Sequence, residues 1–313
     1  MRRKHIVKII VLGYHNIGCR CLEYLLEKKE NVVAVFTHRD KLGENLFFDS
    51  MAEVAGSGDI LCYMPENLNR PEWVSLIEEL APDIIFSFYY RNLISSEILG
   101  IPRLGAINLH GSLLPKYRGR CPVNWALVNG EKETGVTLHY MVDKPDAGDI
   151  IAQRKIPILF TDTAYSLHKK MEKEAVLVLD KAWQLIKDEK NERIPQDLSV
   201  GSYYGGRKPE DGKIDWKRGN LEICNLVRAV THPWPGAFCT FRDQELFIWE
   251  CEPVSMKVYC EPGNLISFDR NGIIVAAGDG ALLLKRCQFE EKEELDGYKF
   301  TTMYSLHNGE MFT

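Results

Sequence analysis

The chain has 313 residues and a mass of 35.9 kDa, a length that suggests two domains or one large one. Hydrophobic residues make up 45% and charged residues 27% of it, which is typical of soluble globular proteins and excludes disordered, collagen-like and coiled-coil chains. The net charge is −5, and no apolar stretch reaches the roughly 18 residues that a membrane-spanning helix needs. We therefore expect no membrane partner.

Charge and cysteine content narrow the class further. Residues 1–199 carry 26 basic against 27 acidic side chains, and residues 200–313 carry 13 against 17, so the two parts have net charges of −1 and −4. Binding to a nucleic-acid backbone needs an excess of cations, so we expect no nucleic-acid partner. The nine cysteines include no Cys-x-x-Cys pair, which argues against structural zinc and a disulfide framework and favours a reducing cytoplasm.

The first third of the chain alternates apolar runs with helical patterns. The basic start leads into an apolar run interrupted by Lys8, so it predicts a first strand rather than a signal peptide. Helical patterns near 48–55 and 71–80 separate the later runs. The predicted strands cover residues 5–12, 31–36, 60–63, 83–88 and 106–109. This order predicts a Rossmann-like, doubly wound α/β sheet that is mostly parallel, with strands that are apolar because both faces are covered.

The remainder predicts a change of architecture. Two more strands at 135–141 and 149–156 precede an amphipathic helix over 163–189. Residues 199–213 are rich in Gly and Tyr and predict a linker. After it come a helix at 221–230 and short β runs at 237–241, 245–250, 264–268, 272–277 and 281–289. We therefore predict a first domain over 1–200 and a smaller, β-rich, OB-like barrel domain over 201–313.

The first strand–helix connection, Gly13–Gly18, is a weak candidate for a ligand site. It lacks the G-x-G-x-x-G spacing of a dinucleotide-binding turn. A tight connection is the favoured interpretation, although a helix N-terminus there could still hold a phosphate. We expect His15 to be a surface residue of this turn.

Asn108 and His110 lie where an apolar strand ends. In open α/β sheets, ligands bind beyond the carboxyl ends of the strands. Residues two apart in a strand point the same way, so the two side chains should share one surface. A reacting ligand and a loop-fastening role explain this pair equally well on spacing alone.

A second polar segment, 142–149, joins the next two predicted strands and contains Asp143, Asp146 and Gly148. Acidic residues and Gly in such a loop usually serve turn formation. A carboxylate that met His110 across the fold would instead raise the pKa of the histidine and fix its tautomer. Spacing alone does not distinguish the two interpretations.

These segments together resemble a known family. The run Asn108-Leu-His-Gly-Ser-Leu-Leu-Pro-Lys-Tyr-Arg-Gly119, with Asp146-Ala-Gly 36 positions after the His, is similar to the folate-dependent formyltransferases. The family includes enzymes that formylate methionyl-tRNA, glycinamide ribonucleotide and nucleotide-linked amino sugars. The likeness is densest with the sugar-nucleotide branch, notably a domain acting on UDP-4-amino-4-deoxy-L-arabinose. It extends through residues 84–91, 124–130, 134–139 and 227–238.

The resemblance implies a mechanism and three catalytic residues. The formyl donor would be 10-formyltetrahydrofolate and the acceptor a primary amine, with no metal ion. Asn108 would donate to the developing oxyanion, and His110 would move a proton between the amine and the leaving folate nitrogen. Asp146 would hold the imidazole in place and raise its pKa.

Binding residues are implied by the same likeness. The folate pocket would be lined by Asn92, Leu93, Ile94, Val142, Asp143, Lys144, Pro145 and Asp146. Arg120 and Tyr117 would contact the acceptor, the arginine through charge-assisted bonds to its phosphates. Lys116 and Arg118 are weaker candidates for the same contact, and we expect a solvated loop at both.

The resemblance favours a nucleotide-linked amino sugar as the acceptor, UDP- or dTDP-linked, in surface glycan or lipid A modification. Methionyl-tRNA is the alternative acceptor, and the −4 charge of the C-terminal part argues against it. A folate-binding or scaffolding module without turnover is a third hypothesis, which the set of Asn108, His110 and Asp146 disfavours. An apolar β surface in the second domain would suit a homodimer.

Overall fold

The computed structural model describes residues 6–40 and 47–313. His5, the first residue of the first predicted strand, lies outside these ranges. The chain forms two compact units. The first comprises Met1–Pro122, Glu133–Pro157 and His168–Gly205, and the second comprises Val123–Lys132, Ile158–Leu167 and Gly206–Thr313.

Helices and strands alternate through the first two thirds of the described chain, and strands predominate after it. The helices are α1 His15–Glu27, α2 Met51–Ser57, α3 Pro71–Leu80, α4 Ser96–Leu99, α5 Pro122–Val128, α6 Ala164–Lys187, α7 Asn220–Val230 and α8 Gly297–Tyr304. The strands are β1 Lys8–Gly13, β2 Asn31–Phe36, β3 Cys62–Tyr63, β4 Ile84–Phe88, β5 Ala106–His110, β6 Arg118–Gly119, β7 Glu133–Tyr140, β8 Ile150–Pro157, β9 Tyr203–Tyr204, β10 Ala237–Phe241, β11 Gln244–Val254, β12 Leu265–Asp269, β13 Gly272–Ala276, β14 Ala281–Phe289 and β15 Leu295–Asp296.

The first unit is built on a seven-stranded sheet in the order β3-β2-β1-β4-β5-β7-β8. The pairs from β3 to β5 are parallel, and β7 and β8 run antiparallel at one edge. The interior strands are buried along almost their whole length, β4 at all five residues. The doubly wound, mostly parallel α/β prediction is confirmed.

Local sequence explains where several helices begin and which face they bury. The Ser50 hydroxyl accepts a hydrogen bond from the Glu53 amide at the start of α2, and Pro71 opens α3, where an amide hydrogen would have no helical partner. Helix α6 buries the apolar stripe that its periodicity predicts. This stripe consists of Leu167, Met171, Ala175, Val178, Leu179, Ala182 and Ile186.

Strand order places one ligand-binding edge in the first unit. The chain moves from β1 towards β2 and β3 on one side, then returns to β4 and β5 on the other side of β1. The carboxyl ends of β1 and β4 therefore flank the point where the strand order reverses, which is where open α/β sheets bind ligands. Strand β5 ends beside β4 at the same edge. Asn108 and His110 belong to this end of β5.

The second unit contains an antiparallel sheet in the order β10-β11-β14-β13-β12, with β15 paired to β14. Its two edges are joined by the last residues of the chain. Thr240 and Thr313 exchange backbone hydrogen bonds of 2.6 and 2.8 Å, and the Phe312 amide donates to the Gly263 carbonyl at 2.8 Å. The last residues of the chain thus connect the β10 edge of the sheet to its β12 edge. The prediction of a β-rich architecture for the C-terminal part is confirmed.

Several short elements differ from the sequence prediction, among them β9 and α8. Residues 199–213, predicted as a linker, contain strand β9, which pairs in parallel with β6. Helix α8 follows the last β segments and was not predicted; the Asp296 carboxylate caps it by accepting from the Lys299 amide at 2.9 Å. Across the described residues, every helix is too short or too polar to pass through a lipid bilayer.

Candidate active site

The polar cluster at the carboxyl end of β5 is assembled by strand pairing. In the antiparallel β5–β7 pair, Asn108 lies opposite His139 and His110 lies opposite Thr137. Because alternate residues of a strand share one face, Asn108 and His110 present their side chains on the same side. His110 and His139 are both buried. The strand register therefore concentrates one carboxamide and two imidazoles in one place.

His110 is held by contacts at both ring nitrogens. Nε2 lies 2.7 Å from the carbonyl oxygen of Tyr117, and Nδ1 lies 3.5 Å from Oδ1 of Asp146. A carbonyl oxygen only accepts hydrogen bonds, so Nε2 must carry a hydrogen. Nδ1 is then the nitrogen that gains or loses a proton, and the Asp146 carboxylate lies beside it to stabilise the charged ring.

Asp146 is fixed by a strained turn and by an amide hydrogen bond. Its φ is 52°, in the left-handed region that non-glycine residues rarely adopt. The Gly119 amide donates to Oδ2 at 2.9 Å, and the Gln196 side chain donates to the Asp146 carbonyl at 3.1 Å. Burial alone would raise the pKa of this carboxyl, but the neighbouring His110 and His139 imidazoles and the Gly119 N–H outweigh it and lower the pKa well below its ordinary value. Asp146 is therefore a carboxylate at any physiological pH.

His139 is a site residue that sequence reasoning missed. Its Nδ1 lies 2.8 Å from the carbonyl oxygen of Tyr140, so Nδ1 carries a hydrogen. Nε2 then presents a lone pair, and the Asn108 Nδ2 amino group donates to it at 3.1 Å. His139 is neutral in this arrangement, so its 3.5 Å approach to Asp146 Oδ1 is not an ion pair. The sequence held no local signal for this role, because it depends on the β5–β7 register that places His139 opposite Asn108.

The orientation of the Asn108 carboxamide follows from this pairing. One N–H points to His139, and the same nitrogen lies 3.4 Å from Asp146 Oδ1. The second contact is long for a hydrogen bond, so it is the weaker one and can be exchanged for a bond to a ligand oxygen. Asn108, His110 and Asp146, which the sequence singled out, are thus brought together. They supply an amide donor, a titratable nitrogen and a fixed negative charge.

The two loops predicted to line a folate pocket are also neighbours. The hydroxyl of Ser96, which begins α4 directly after the loop that follows β4, donates at 2.7 Å to Asp143 Oδ1 in the loop after β7. Ile94 packs on the same apolar cluster as Met141. Leu93 is 71% exposed and Val142 47% exposed. Asn92, Asp143 and Lys144 are exposed, whereas Pro145 and Asp146 are half-buried.

The residues predicted to contact the acceptor differ in burial. Arg120 and Lys116 are exposed. The Tyr117 ring is buried and stacks on Tyr204 with 5.1 Å between centroids. Arg118 is only 8% exposed, so the expectation of a solvated loop at this residue is wrong. Strand β6 pairs with β9 and buries it.

Arg118 stands out because its side chain is largely buried and has no acidic partner among the residues that the structure describes. Its Nε has no hydrogen-bond partner, and none of the ion pairs found among the described residues involves its guanidinium. A buried cation is costly unless it is paired. The side chain is therefore suited to an anionic group supplied by a ligand.

The first strand–helix connection is more enclosed than predicted. His15 is half-buried rather than a surface residue. Its ring packs 4.7 Å from Phe48 and 5.4 Å from His168, measured between centroids. The expectation for His15 is wrong because the residue opens α1 with a φ of 65° and faces inward.

No group of three or more His, Cys, Asp or Glu side chains within residues 6–40 and 47–313 is arranged to hold a metal ion. The chemistry that the site offers is proton transfer beside an amide donor, the set used in acyl-group transfer to an amine.

Comparison with known families identifies the class. The profile described as "Formyl transferase" matches residues 6–182, and that described as "Formyl transferase, C-terminal domain" matches residues 207–305. These matches cover most of the chain. The chain therefore belongs to the formyl transferase family, and the resemblance stated from its motifs is confirmed. It is a formyltransferase.

Solved structures share the fold. A sugar 3N-formyl transferase, WlaRD, determined with dTDP and 5-N-formyl-THF, is 24% identical with a TM-score of 0.70 and covers 92% of this chain and 100% of its own. An N-formyltransferase from Helicobacter canadensis, in complex with folinic acid and dTDP-3-aminofucose, is 24% identical with a TM-score of 0.71 and coverages of 89% and 98%. A 4-N formyltransferase from Francisella tularensis is 24% identical, with a TM-score of 0.60 and coverages of 73% and 90%.

Proposed function

We propose that this protein transfers the formyl group of 10-formyltetrahydrofolate to the primary amine of a nucleotide-linked amino sugar. The observation that carries the proposal is the fixed pairing of His110 with Tyr117 on one side and Asp146 on the other. The ligands of the similar structures support both substrates, since they include a formylated folate, dTDP and a dTDP-linked amino sugar.

His110 moves the proton in this proposal. As the neutral amine attacks the formyl carbon, a carbon–nitrogen bond forms and the amine becomes acidic. Nδ1 of His110 accepts that proton, and the resulting imidazolium lies beside the Asp146 carboxylate 3.5 Å away. The same nitrogen then gives the proton to the folate nitrogen as its bond to the formyl carbon breaks. Atoms and charge balance, and the enzyme returns to its starting state.

Asn108 stabilises the negative charge that develops on the formyl oxygen. Its Nδ2 is held by His139, so the amide cannot rotate to present its oxygen. The N–H that makes the weak 3.4 Å contact with Asp146 is the one that the oxyanion would take. Donors fixed before the reaction are effective because they do not have to reorganise as charge develops.

The donor would bind between the two loops joined by Ser96 and Asp143. The exposed apolar side chains of Leu93 and Val142 offer surface to a flat aromatic pterin. Backbone groups of residues 92–94 and 142–146 supply the polar contacts. This assignment rests on the family resemblance together with the adjacency of the loops.

Two arginine side chains indicate where the acceptor would bind. Arg118 is buried without an acidic partner among the described residues, and Arg120 is exposed two residues further on. We assign the phosphates of the sugar nucleotide to these guanidinium groups, with Tyr117 beside them. Charge-assisted bonds to phosphate compensate the burial of Arg118.

The particular substrate and setting are further parts of the proposal. Dense motif similarity favours a UDP-linked 4-amino sugar such as UDP-4-amino-4-deoxy-L-arabinose, modified for lipid A or a surface glycan. We place the protein in the cytoplasm because all nine cysteines are free thiols. The homodimer remains a prediction.

A tetrahydrofolate-release assay tests the proposal. Purified protein is given 10-formyltetrahydrofolate and, in separate reactions, UDP- and dTDP-linked 4-amino and 3-amino sugars or methionyl-tRNA. We expect acceptor-dependent release with a nucleotide-linked amino sugar, and mass spectrometry should show a gain of one formyl group on its amine. Turnover with methionyl-tRNA alone would overturn the proposal in favour of the tRNA enzyme.

A further inference from the structure

A short segment outside the recognised motifs contacts the loop that holds both catalytic groups. Residues 201–204, Gly-Ser-Tyr-Tyr, belong to the first unit and include strand β9. We call them the 201–204 segment. The loop that they contact runs from Pro115 to Arg120 and includes strand β6.

Hydrogen bonds join the segment to the loop at successive positions. The Ser202 amide donates to the Pro115 carbonyl at 3.2 Å, and the Ser202 carbonyl accepts from the Arg118 amide at 3.0 Å. The Ser202 hydroxyl oxygen accepts from the Tyr117 amide at 2.8 Å. The Tyr204 carbonyl accepts from the Arg120 amide at 3.0 Å. Ser202 therefore makes hydrogen bonds with three residues of the loop, Pro115, Tyr117 and Arg118.

Stacking of two tyrosine rings and a close approach of the two backbones add to this contact. The rings of Tyr117 and Tyr204 are nearly parallel, with centroids 5.1 Å apart and an angle of 10° between planes. Gly119 has a φ of 95°, and a Cβ there would overlap the Tyr204 carbonyl oxygen. Any other residue at position 119 would force the segment away from the loop.

The same loop contacts the two groups that move the proton. The Tyr117 carbonyl accepts from His110 Nε2, which fixes which nitrogen of that ring carries a hydrogen. The Gly119 amide donates to Asp146 Oδ2 and fixes the carboxylate. The Tyr117 amide donates a hydrogen bond to the Ser202 hydroxyl oxygen. Gly119 lies opposite Tyr204 in the β6–β9 pair. Both residues are therefore held by the 201–204 segment.

We propose that the 201–204 segment sets the His110 tautomer, and that Ser202 is a positioning residue that holds the Tyr117 carbonyl against His110. The expected effect on kcat rests on the proposed function. The expected effect on the His110 tautomer can be measured without any substrate. Small displacements of a catalytic group are costly, since a shift of about 1 Å can lower a rate by roughly 10²-fold.

The test compares Ser202→Ala with Ser202→Thr. Alanine removes the oxygen that accepts from the Tyr117 amide, whereas threonine keeps a hydroxyl in the same place. Ser199→Ala is the matched control, because Ser199 is an exposed serine three residues earlier whose hydroxyl donates only to Asp197 at 2.6 Å. Tyr204→Ala removes the ring stack and keeps every backbone bond. It serves as the second variant if Ser202→Ala does not fold.

The first measurement is ¹⁵N NMR of histidine-labelled protein, with the His110 signals assigned by their loss in His110→Gln. In the wild type we expect the Nε2–H tautomer alone. Ser202→Ala should show averaging between tautomers, and Ser202→Thr and Ser199→Ala should match the wild type. An unchanged His110 spectrum in both Ser202→Ala and Tyr204→Ala would overturn the proposal.

The second measurement is kinetic. We expect Ser202→Ala to lower kcat about ten- to a hundredfold with KM for either substrate within about twofold, and threonine to restore most of kcat. A loss of equal size in Ser199→Ala would contradict the proposal. If wild-type protein formylates no acceptor but the NMR result is as expected, then the proposed function fails and the positioning role stands.

Discussion

Asn108 and His139 face each other across the β5–β7 strand pair, and the Asn108 amino group donates to His139 Nε2 over 3.1 Å. The Tyr140 carbonyl fixes the tautomer that makes this possible. A neutral histidine thus determines which end of the carboxamide points at the reacting atoms. The relationship predicts that the two side chains act as a unit.

A double-mutant cycle should show this coupling. Asn108→Ala and His139→Ala should each lower kcat by roughly 10²-fold or more, the usual effect of losing a fixed oxyanion donor. The double variant should be little worse than Asn108→Ala, because without the carboxamide there is nothing left for His139 to orient. The measurement is kcat for all four proteins. Multiplicative losses would show that the two residues contribute independently.

His110→Ala should nearly abolish turnover while leaving the fold intact. The variant lacks the ring whose Nδ1 lies beside Asp146 and whose Nε2 is fixed by the Tyr117 carbonyl. General acid–base groups contribute typically about 10²–10⁴-fold, so we expect a fall in kcat of that order. Calorimetric unfolding separates lost chemistry from lost structure. Retained turnover would revive the hypothesis that the site only binds ligands.

Arg118→Gln should weaken binding of the acceptor selectively. A lost charge-assisted bond is worth about 1.5–3 kcal/mol, so KM for the sugar nucleotide should rise roughly ten- to a hundredfold. KM for the folate donor should stay within about twofold. The matched control is Lys116→Gln, which changes an exposed cation on the same loop. Equal effects of the two substitutions on the acceptor KM would refute a specific role for Arg118.

Because His168 is held neutral in the folded chain, we expect the free energy of unfolding to fall in mild acid. Burial, followed by the charges of His15 and Lys169, lowers the pKa of this imidazole to about 3, against about 6.5 in an unfolded chain. Below pH 6.5 the unfolded chain therefore takes up a proton that the folded chain does not. Folding stability should fall by up to about 1.4 kcal/mol per pH unit from this group.

Chemical denaturation between pH 6.5 and 4.5 measures this slope. His168→Asn should flatten the dependence of the unfolding free energy on pH, whatever its effect at neutral pH. His307→Asn, at an exposed histidine, should leave the slope unchanged. A slope in His168→Asn as steep as in the wild type would show that another group causes the acid sensitivity.

Sequence patterns predicted much of the fold because most elements are local and strongly patterned. Residues 31–36, 237–241 and 281–289 were predicted as strands and form β2, β10 and β14 with the same bounds. Their apolar and β-branched runs end at turn residues, so neighbouring residues are enough to define them. The long helix was predicted over 163–189 and spans Ala164–Lys187, because its apolar stripe repeats through six turns.

The remainder depends on contacts between distant residues. Strands β6 and β9 have two residues each and form only because they pair with one another, 85 positions apart. Burial of Arg118 follows from that pairing, so the loop sequence alone predicted solvent exposure. Likewise the role of His139 depends on its register with Asn108, which no short-range pattern encodes.

Asp146→Asn is the most direct test of the central claim, that a carboxylate-supported His110 moves the proton in formyl transfer. The substitution keeps the shape of the side chain and an oxygen for the Gly119 amide, but removes the charge beside His110 Nδ1. The measurement is single-turnover formyl transfer to the sugar nucleotide that the acceptor panel identifies. We predict a rate lower by about 10²-fold or more, with the same thermal unfolding temperature within a few degrees. A rate within about threefold of the wild type would contradict the claim.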